Sequence, residues 1–275
     1  MKDDPQITIV RAEPVLPDDS ERFAHLRAHR GLIVRRALLA SAIRGFFPIP
    51  VADDLLCRRI HAGLLQKLAS LGQVDLTAEG AAVVVQAGGP GAGTSLSLSA
   101  GAALVAKFAG RKFLALLAAG RSAEDMARTF LRATLFDHYC AKLHVGGAVT
   151  AETASRLAAC LDVGVGDLSG GPVFEAFREG ARQLGRSLLE APGWVIQRMA
   201  KLGERFVHSG GNPDILDAFP EDAPGENTWL DRTAQSVEDA LARAGSGAIE
   251  RAVREFELRW EEQRQGRDQA PENAG

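Results

Sequence analysis

Residues 45–56 read Gly-Phe-Phe-Pro-Ile-Pro-Val-Ala-Asp-Asp-Leu-Leu, and this stretch decides how the chain folds. Pro48 and Pro50 fix φ and move the residues before them out of the helical region, so a helix that arrives here must end. Asp53 or Asp54 can then cap a following helix, because a carboxylate accepts from its free N–H groups and matches the positive end of its dipole. The segment therefore predicts a structural hinge in which an elbow joins two helices.

Apolar residues at helical spacing continue on both sides of the elbow. We expect a first helix over residues 20–44 and a second over residues 53–71. The second carries an apolar stripe at i, i+4 spacing and basic residues on its other face. The stripe consists of Leu56, Ile60, Leu64 and Leu68.

Further helix signals fill the rest of the chain. Ser122 with Asp125 resembles a capping box, whereas residues 81–86, Ala-Ala-Val-Val-Val-Gln, are typical of a strand. A possible break at residues 245–247 interrupts the last helix. The downstream helices are expected over 97–119, 122–145 and 150–163, from Pro172, over 192–206, and over 229–263. About eight helices and one doubtful strand predict an all-α, multi-helix bundle.

The composition also divides the chain into segments. Polar, proline-containing or Gly/Pro-rich stretches favour irregular structure at both ends and near residue 220. The predicted segments are a disordered arm over 1–19, a helical domain over 20–208, an acidic Gly/Pro loop over 209–227, a C-terminal helix over 228–263 and a disordered tail over 264–275.

Charge is unevenly distributed although the net charge is only −3. Residues 22–67 contain nine basic and two acidic residues, a net +7, whereas residues 213–231 contain six acids and no base, a net −6. The basic block could meet a phosphate-rich surface or the acidic segment of its own chain. The sequence leaves both alternatives open.

Cysteine usage and hydropathy indicate a cytoplasmic protein, peripheral to the inner membrane if it meets a membrane at all. Cys57, Cys140 and Cys160 form no CxxC motif, and the start of the chain has no secretory signal pattern. The most apolar stretch, residues 96–119, is interrupted by three basic residues, which argues against a spanning helix. The strong excess of arginine over lysine is typical of a GC-rich bacterial genome.

The basic first helix and the apolar elbow together predict a contact surface. Arg35, Arg36 and Arg44 could hold lipid headgroups while Phe46 and Phe47 dip into an anionic membrane surface, or they could meet a protein partner. The alternative is a core helix whose arginines extend to solvent. Nucleic acid is disfavoured as a partner because the block lacks stacking aromatics and a DNA-binding motif.

The octet Asp137-His-Tyr-Cys-Ala-Lys-Leu-His144 contains the densest chemistry. On a regular helix Asp137, Cys140 and His144 share one side, which suits a zinc site or a thiol beside an imidazole. The apolar residues around them favour a buried helix with an internal polar network instead.

A glycine-rich loop, Gly88-Gly-Pro-Gly-Ala-Gly-Thr-Ser95, has the spacing of a phosphate-binding P-loop. Thr94 occupies the position of the lysine that contacts the outer phosphates in that motif. We therefore interpret the segment as a turn between helices, and no cofactor is predicted.

The elbow, followed by Leu64-Leu-Gln-Lys-Leu-Ala69 and Gly72, resembles bacterial YcjF-like, GTPase-associated domains of unknown function, with the EcsC-like group as a looser relative. The resemblance covers roughly residues 31–75. It implies two apolar helices joined by a Pro-x-Pro corner, association with a membrane or a GTPase, and no assigned catalytic residues. The sequence thus favours a non-catalytic membrane-surface or partner-binding module, with a metal- or thiol-dependent enzyme or ligand-binding protein centred on residues 137–144 as the alternative.

Overall fold

The computed structural model describes residues 23–46, 50–87, 111–190, 228–244 and 246–268. A short 3₁₀ turn over Ala24–Arg27 precedes the first helix. Eight α-helices follow within the described residues: α1 Arg30–Phe46, α2 Pro50–Leu71, α3 Ala78–Ala87, α4 Arg111–His138, α5 Ala151–Val165, α6 Pro172–Glu190, α7 Thr228–Ala244 and α8 Gly247–Asp268. The described part contains no strand, only a single parallel bridge between Leu76 and Val149. The predicted all-α bundle is confirmed.

Helix α4 forms the centre of the bundle. It contacts α1, α2, α5, α6, α8 and the 3₁₀ turn. All residues from 130 to 140 are buried, so this part of the helix is enclosed on every side. Phe130 packs against Phe177 of α6 with ring centroids 5.3 Å apart.

The other helices pack around this centre in pairs. Helix α3 lies on α5, α5 on α8, α6 on α7, and α7 on α1. Val237 of α7 and Phe256 of α8 belong to the same hydrophobic core as the N-terminal helices, so the C-terminal helices are part of the bundle. A Cβ on Gly164 of α5 would lie 2.9 Å from Leu135 Cδ1 and from Phe256 Cβ, which shows how closely these helices approach.

Helix starts with strong local signals agree with the sequence. Helix α5 begins directly after Thr150, and α6 begins at Pro172, where the missing N–H costs nothing. The break near residue 245 separates α7 from α8. The last helix extends to Asp268, five residues beyond its predicted end and into the segment predicted as a tail.

The elbow differs from its prediction in where the second helix begins. Helix α2 starts at Pro50 and not at Asp53, because proline is well suited to the first helical position. Asp53 and Asp54 therefore lie within the first turns of the helix, and their side chains, predicted to cap it, lie outside the described residues. The two helices pack on each other, and Cys57 Sγ donates to the Ala40 carbonyl at 3.5 Å.

Two predictions inside the chain are wrong. Residues 81–86, expected to be strand-like, belong to helix α3, because Ala81 and Val84 bury one face against the bundle and packing outweighs the β-propensity of valine. Ser122 does not start a helix, since α4 continues through it and buries Ala123, Met126 and Ala127.

Several other predictions fall on residues outside the described ones. They concern the arm over 1–19, the glycine-rich loop over 88–95, the helix over 192–206, the acidic loop over 209–227, and Pro48 and Phe47 at the elbow.

Candidate functional site

Five ionisable side chains meet where the N-terminal turn, the end of α4 and helix α8 come together. They are His25, His29, Asp137, His138 and Glu257, and we call them the histidine–carboxylate cluster. His25 lies in the 3₁₀ turn and His29 directly precedes α1. Asp137 and His138 are the last two residues of α4, and Glu257 lies in the middle of α8.

A chain of hydrogen bonds runs through His138. His25 Nε2 lies 2.9 Å from His138 Nδ1, and His138 Nε2 lies 3.0 Å from Glu257 Oε1. The side chain of His138 is only 2 % exposed, and that of Glu257 is 16 % exposed. An ionised carboxylate only accepts hydrogen bonds, so His138 Nε2 is assigned as the donor to Glu257. His25 is half-buried, so this member of the series of hydrogen bonds is partly exposed to solvent.

A second histidine–carboxylate pair lies beside the first. His29 Nδ1 and Asp137 Oδ1 are 2.9 Å apart, with the carboxylate almost fully buried and the histidine partly exposed. Burial raises the pKa of Asp137, and the hydrogen bond from His29 opposes that rise. Asp137 therefore takes up a proton at a higher pH than an exposed aspartate does.

A π-helical turn over Tyr139–Leu143 ends the central helix just after the cluster. The His144 N–H donates to the Tyr139 carbonyl at 2.8 Å, and His144 itself is extended. Tyr139 packs edge-on against Trp260 of α8, with ring centroids 5.1 Å apart. Its Oη lies 3.2 Å from His144 Nδ1. Turns of this kind are rare and recur at functional sites.

The π turn explains why the three ligands suggested by the octet do not converge. The spacing of Asp137, Cys140 and His144 assumes a regular helix to residue 145, but the helix widens at Tyr139 and ends at Leu143. Asp137 instead contacts His29, and His144 contacts Tyr139. Among the described residues, no group of three or more His, Cys, Asp or Glu side chains is arranged to hold a metal ion.

The cysteines are free and buried, which suits packing better than catalysis. Burial, together with the nearby Asp137 charge, raises the pKa of Cys140 to about 12. Burial likewise raises the pKa of Cys160 to about 11. Because the thiolate is the nucleophile, neither thiol is activated at neutral pH.

Two of the arginines expected to contact a membrane, Arg35 and Arg36, interact with other parts of the fold. Arg35 Nη2 lies 3.0 Å from Asp231 Oδ1, so part of the basic block pairs with the acidic segment of the same chain. Arg36 is buried, with 6 % exposure. Helix α1 carries Ile33, Val34 and Leu38 into the core, and its apolar face is therefore covered by other helices. Arg36 therefore does not lie on the surface, whereas Arg35 stays partly exposed in its ion pair.

The remaining predicted contact residues cannot be placed in the same way. The side chains of Arg44 and Phe46, and the whole of Phe47, lie outside the described residues. None of the described helices combines the length and the apolar character needed to cross a bilayer.

Sequence reasoning missed most of the cluster. His25 and His29 stand four residues apart, a spacing that places two histidines on one helical face and could have drawn attention to them. His138 was part of the octet but was passed over for its neighbours. Glu257 is one of many acids in α8, and only the packing of that helix on α4 selects it.

Comparison with known proteins adds no relative: no family model matches the chain, and no similar protein was found among curated proteins or solved structures. The resemblance to YcjF-like domains therefore stays a prediction from the elbow sequence.

Proposed function

We propose that this protein is a non-catalytic helical module that docks on an anionic membrane surface through the α1–α2 elbow. The observation that carries the proposal is the position of Arg58 and Arg59. Both are exposed on α2, a short distance from the apolar elbow sequence, whereas Arg36 is buried and Arg35 forms an ion pair with Asp231.

The geometry of α2 suits such a contact. Ile60 and Leu64 are buried against the bundle, so the neighbouring arginines lie on the other side of the helix. At 1.5 Å per residue, Arg58 and Arg59 stand about 12–14 Å along the axis from Pro50. An apolar segment that enters the interface by about 5–10 Å would bring these guanidinium groups to the level of the headgroups.

The elbow supplies the apolar part of the proposed contact. Its sequence, Phe46-Phe47-Pro48-Ile49, places four consecutive apolar residues from the end of α1 up to the start of α2, and both helices carry arginine. The resemblance to membrane- or GTPase-associated domains points in the same direction. The buried, protonated state of Cys140 supports a binding role over the thiol-dependent alternative.

Co-flotation with vesicles tests this proposal. We expect the full chain to float with anionic vesicles at low salt and to stay unbound on neutral ones, because a basic residue near an anionic leaflet contributes about 1 kcal/mol. Reversing both charges, Arg58→Glu with Arg59→Glu, should lower the partition coefficient at least about tenfold.

A matched control reverses two exposed arginines of α8, Arg251→Glu with Arg264→Glu, and so changes the net charge equally. This control should retain most of the binding. Equal loss in both double variants would show that only net charge matters. No binding to anionic vesicles at low salt would overturn the membrane proposal in favour of a protein partner.

A further inference from the structure

The hydrogen bond between His25 and His138 exists only while at least one of the two rings is neutral. Their facing nitrogens, 2.9 Å apart, need one N–H and one bare nitrogen to bond. With His138 Nε2–H directed at Glu257, a neutral His138 presents a bare Nδ1. His25 Nε2–H then donates to this nitrogen. When both histidines are neutral, the hydrogen bonds therefore allow one consistent set of tautomers.

The hydrogen bonds of His25, His138 and Glu257 can accommodate one extra proton but not a second. A protonated His138 donates from both nitrogens, to Glu257 and to a His25 whose Nε2 is bare, and its charge lies beside a carboxylate. A second proton places N–H groups on both facing nitrogens and removes the acceptor. It also leaves two positive rings with centroids 5.1 Å apart in a largely buried site.

The charged groups near His138 differ in their effect on its protonation. They include His25 in the 3₁₀ turn, Glu257 on α8, and Asp137 on its own helix with its partner His29. Asp137 loses its negative charge in acid, so it compensates the histidines less as they become protonated.

We propose that the His25–His138–Glu257 chain is a pH-sensitive latch that holds the 3₁₀ turn against α4 and α8 at neutral pH and lets the turn detach in mild acid. Histidine normally titrates near pH 6.5, which places the transition in the mildly acidic range. Phe23 and Leu26 also anchor the turn in the core, so the change is a shift in a local opening equilibrium and not global unfolding. This inference does not depend on the proposed membrane function.

Hydrogen exchange of the full chain, compared at about pH 7.5 and about pH 5 after correction for intrinsic exchange, tests the latch directly. The informative amides are those of Leu26 and Ala28, which donate within the turn to the Phe23 and His25 carbonyls. We expect their opening equilibrium to rise at least about tenfold in acid, since each additional proton bound by the open state contributes up to tenfold per pH unit. Amides in the middle of α6 should keep their protection.

Three variants separate a latch from a general effect of acid. His25→Asn removes the half-exposed ring, and its turn should open to the same extent at both pH values. His61→Asn changes a histidine that contacts Thr129, away from the cluster, and should keep the wild-type response. Glu257→Gln keeps an acceptor for His138 but removes the charge that stabilises the first proton, so its opening midpoint should move to higher pH.

Several results would overturn the latch. Equal protection of the turn at both pH values in the wild type would do so. An undiminished acid response in His25→Asn would assign the effect to other groups. A midpoint that moves to lower pH in Glu257→Gln would show that the carboxylate does not stabilise the protonated pair.

Discussion

Helix α4 buries charged groups at two places about one and a half turns apart, and the two are built differently. At the first, the arginine site, Arg132 Nη2 donates to the Val84 carbonyl of α3 at 2.7 Å and Nη1 pairs with Asp162 of α5. The second is the histidine–carboxylate cluster at the end of the same helix. Burial lowers the pKa of Arg132 to about 10, which leaves the guanidinium charged at neutral pH.

The comparison shows how one helix can make fixed and adjustable contacts. The arginine site joins α3 and α5 with a charge that does not change between mild acid and neutrality. The cluster joins the N-terminal turn and α8 through histidine and carboxylate side chains, residue types whose ordinary pKa values lie below neutrality. The strength of the contacts at the arginine site should therefore not change between mild acid and neutral pH, whereas the strength of the contacts at the histidine–carboxylate cluster should change.

The largest effect is expected at the arginine site. Arg132→Ala removes a buried guanidinium, leaves the Val84 carbonyl without this donor and separates the ion pair with Asp162. We expect a loss of about 3 kcal/mol in the free energy of unfolding, measured by urea denaturation. The loss should be the same at mildly acidic and neutral pH, because Arg132 stays charged throughout.

Arg128 provides a control on the same helix. It forms an exposed i,i+4 pair with Glu124, so Arg128→Ala should cost only a few tenths of a kcal/mol. Similar losses in the two variants, or a loss at Arg132 that disappears in acid, would remove the distinction between the two sites.

An intermediate effect is expected at Asp137, and it depends on pH. Because its folded pKa lies above the unfolded one, its favourable contribution is present in acid and lost as pH rises through the folded pKa. In Asp137→Asn this loss is absent. The unfolding free energy of the variant relative to wild type should therefore increase from acid to neutral pH, by about 1.4 kcal/mol for each unit by which the pKa is raised.

Asp167 offers a control with the opposite sign. It is exposed, and the backbone N–H of Ser169 at 2.8 Å lowers its pKa. The contribution of Asp167 to the free energy of unfolding is present above its unfolded pKa and is lost in acid. The free energy of unfolding of Asp167→Asn should therefore fall relative to that of the wild type as pH rises. Parallel pH profiles for the two variants would contradict the assigned role of Asp137.

Local chemistry accounts for what the sequence predicted of this fold. Thr150 and Pro172 mark helix starts by short-range preferences, and both were placed correctly. Ser122 and the valines of residues 83–85 also carry short-range preferences, but burial in the bundle outweighed them. The cluster was missed because its bonds join residues more than 100 positions apart in the chain, and no periodicity in one sequence reports such pairs.

The smallest effect is expected at the π turn, which directly follows the histidine–carboxylate cluster. His144 is half-buried and contacts Tyr139 through one hydrogen bond, so His144→Ala should cost about 0.5–1 kcal/mol. Tyr139→Phe removes the other partner but keeps the ring packed on Trp260. A double-mutant cycle of the two should therefore give a coupling energy no larger than that of one hydrogen bond.

Metal analysis of the purified wild type, His144→Ala and Cys140→Ser should show no stoichiometric zinc. Zinc in the wild type that is lost in both variants would restore the metal site suggested by the octet and would overturn the purely structural role assigned to this turn.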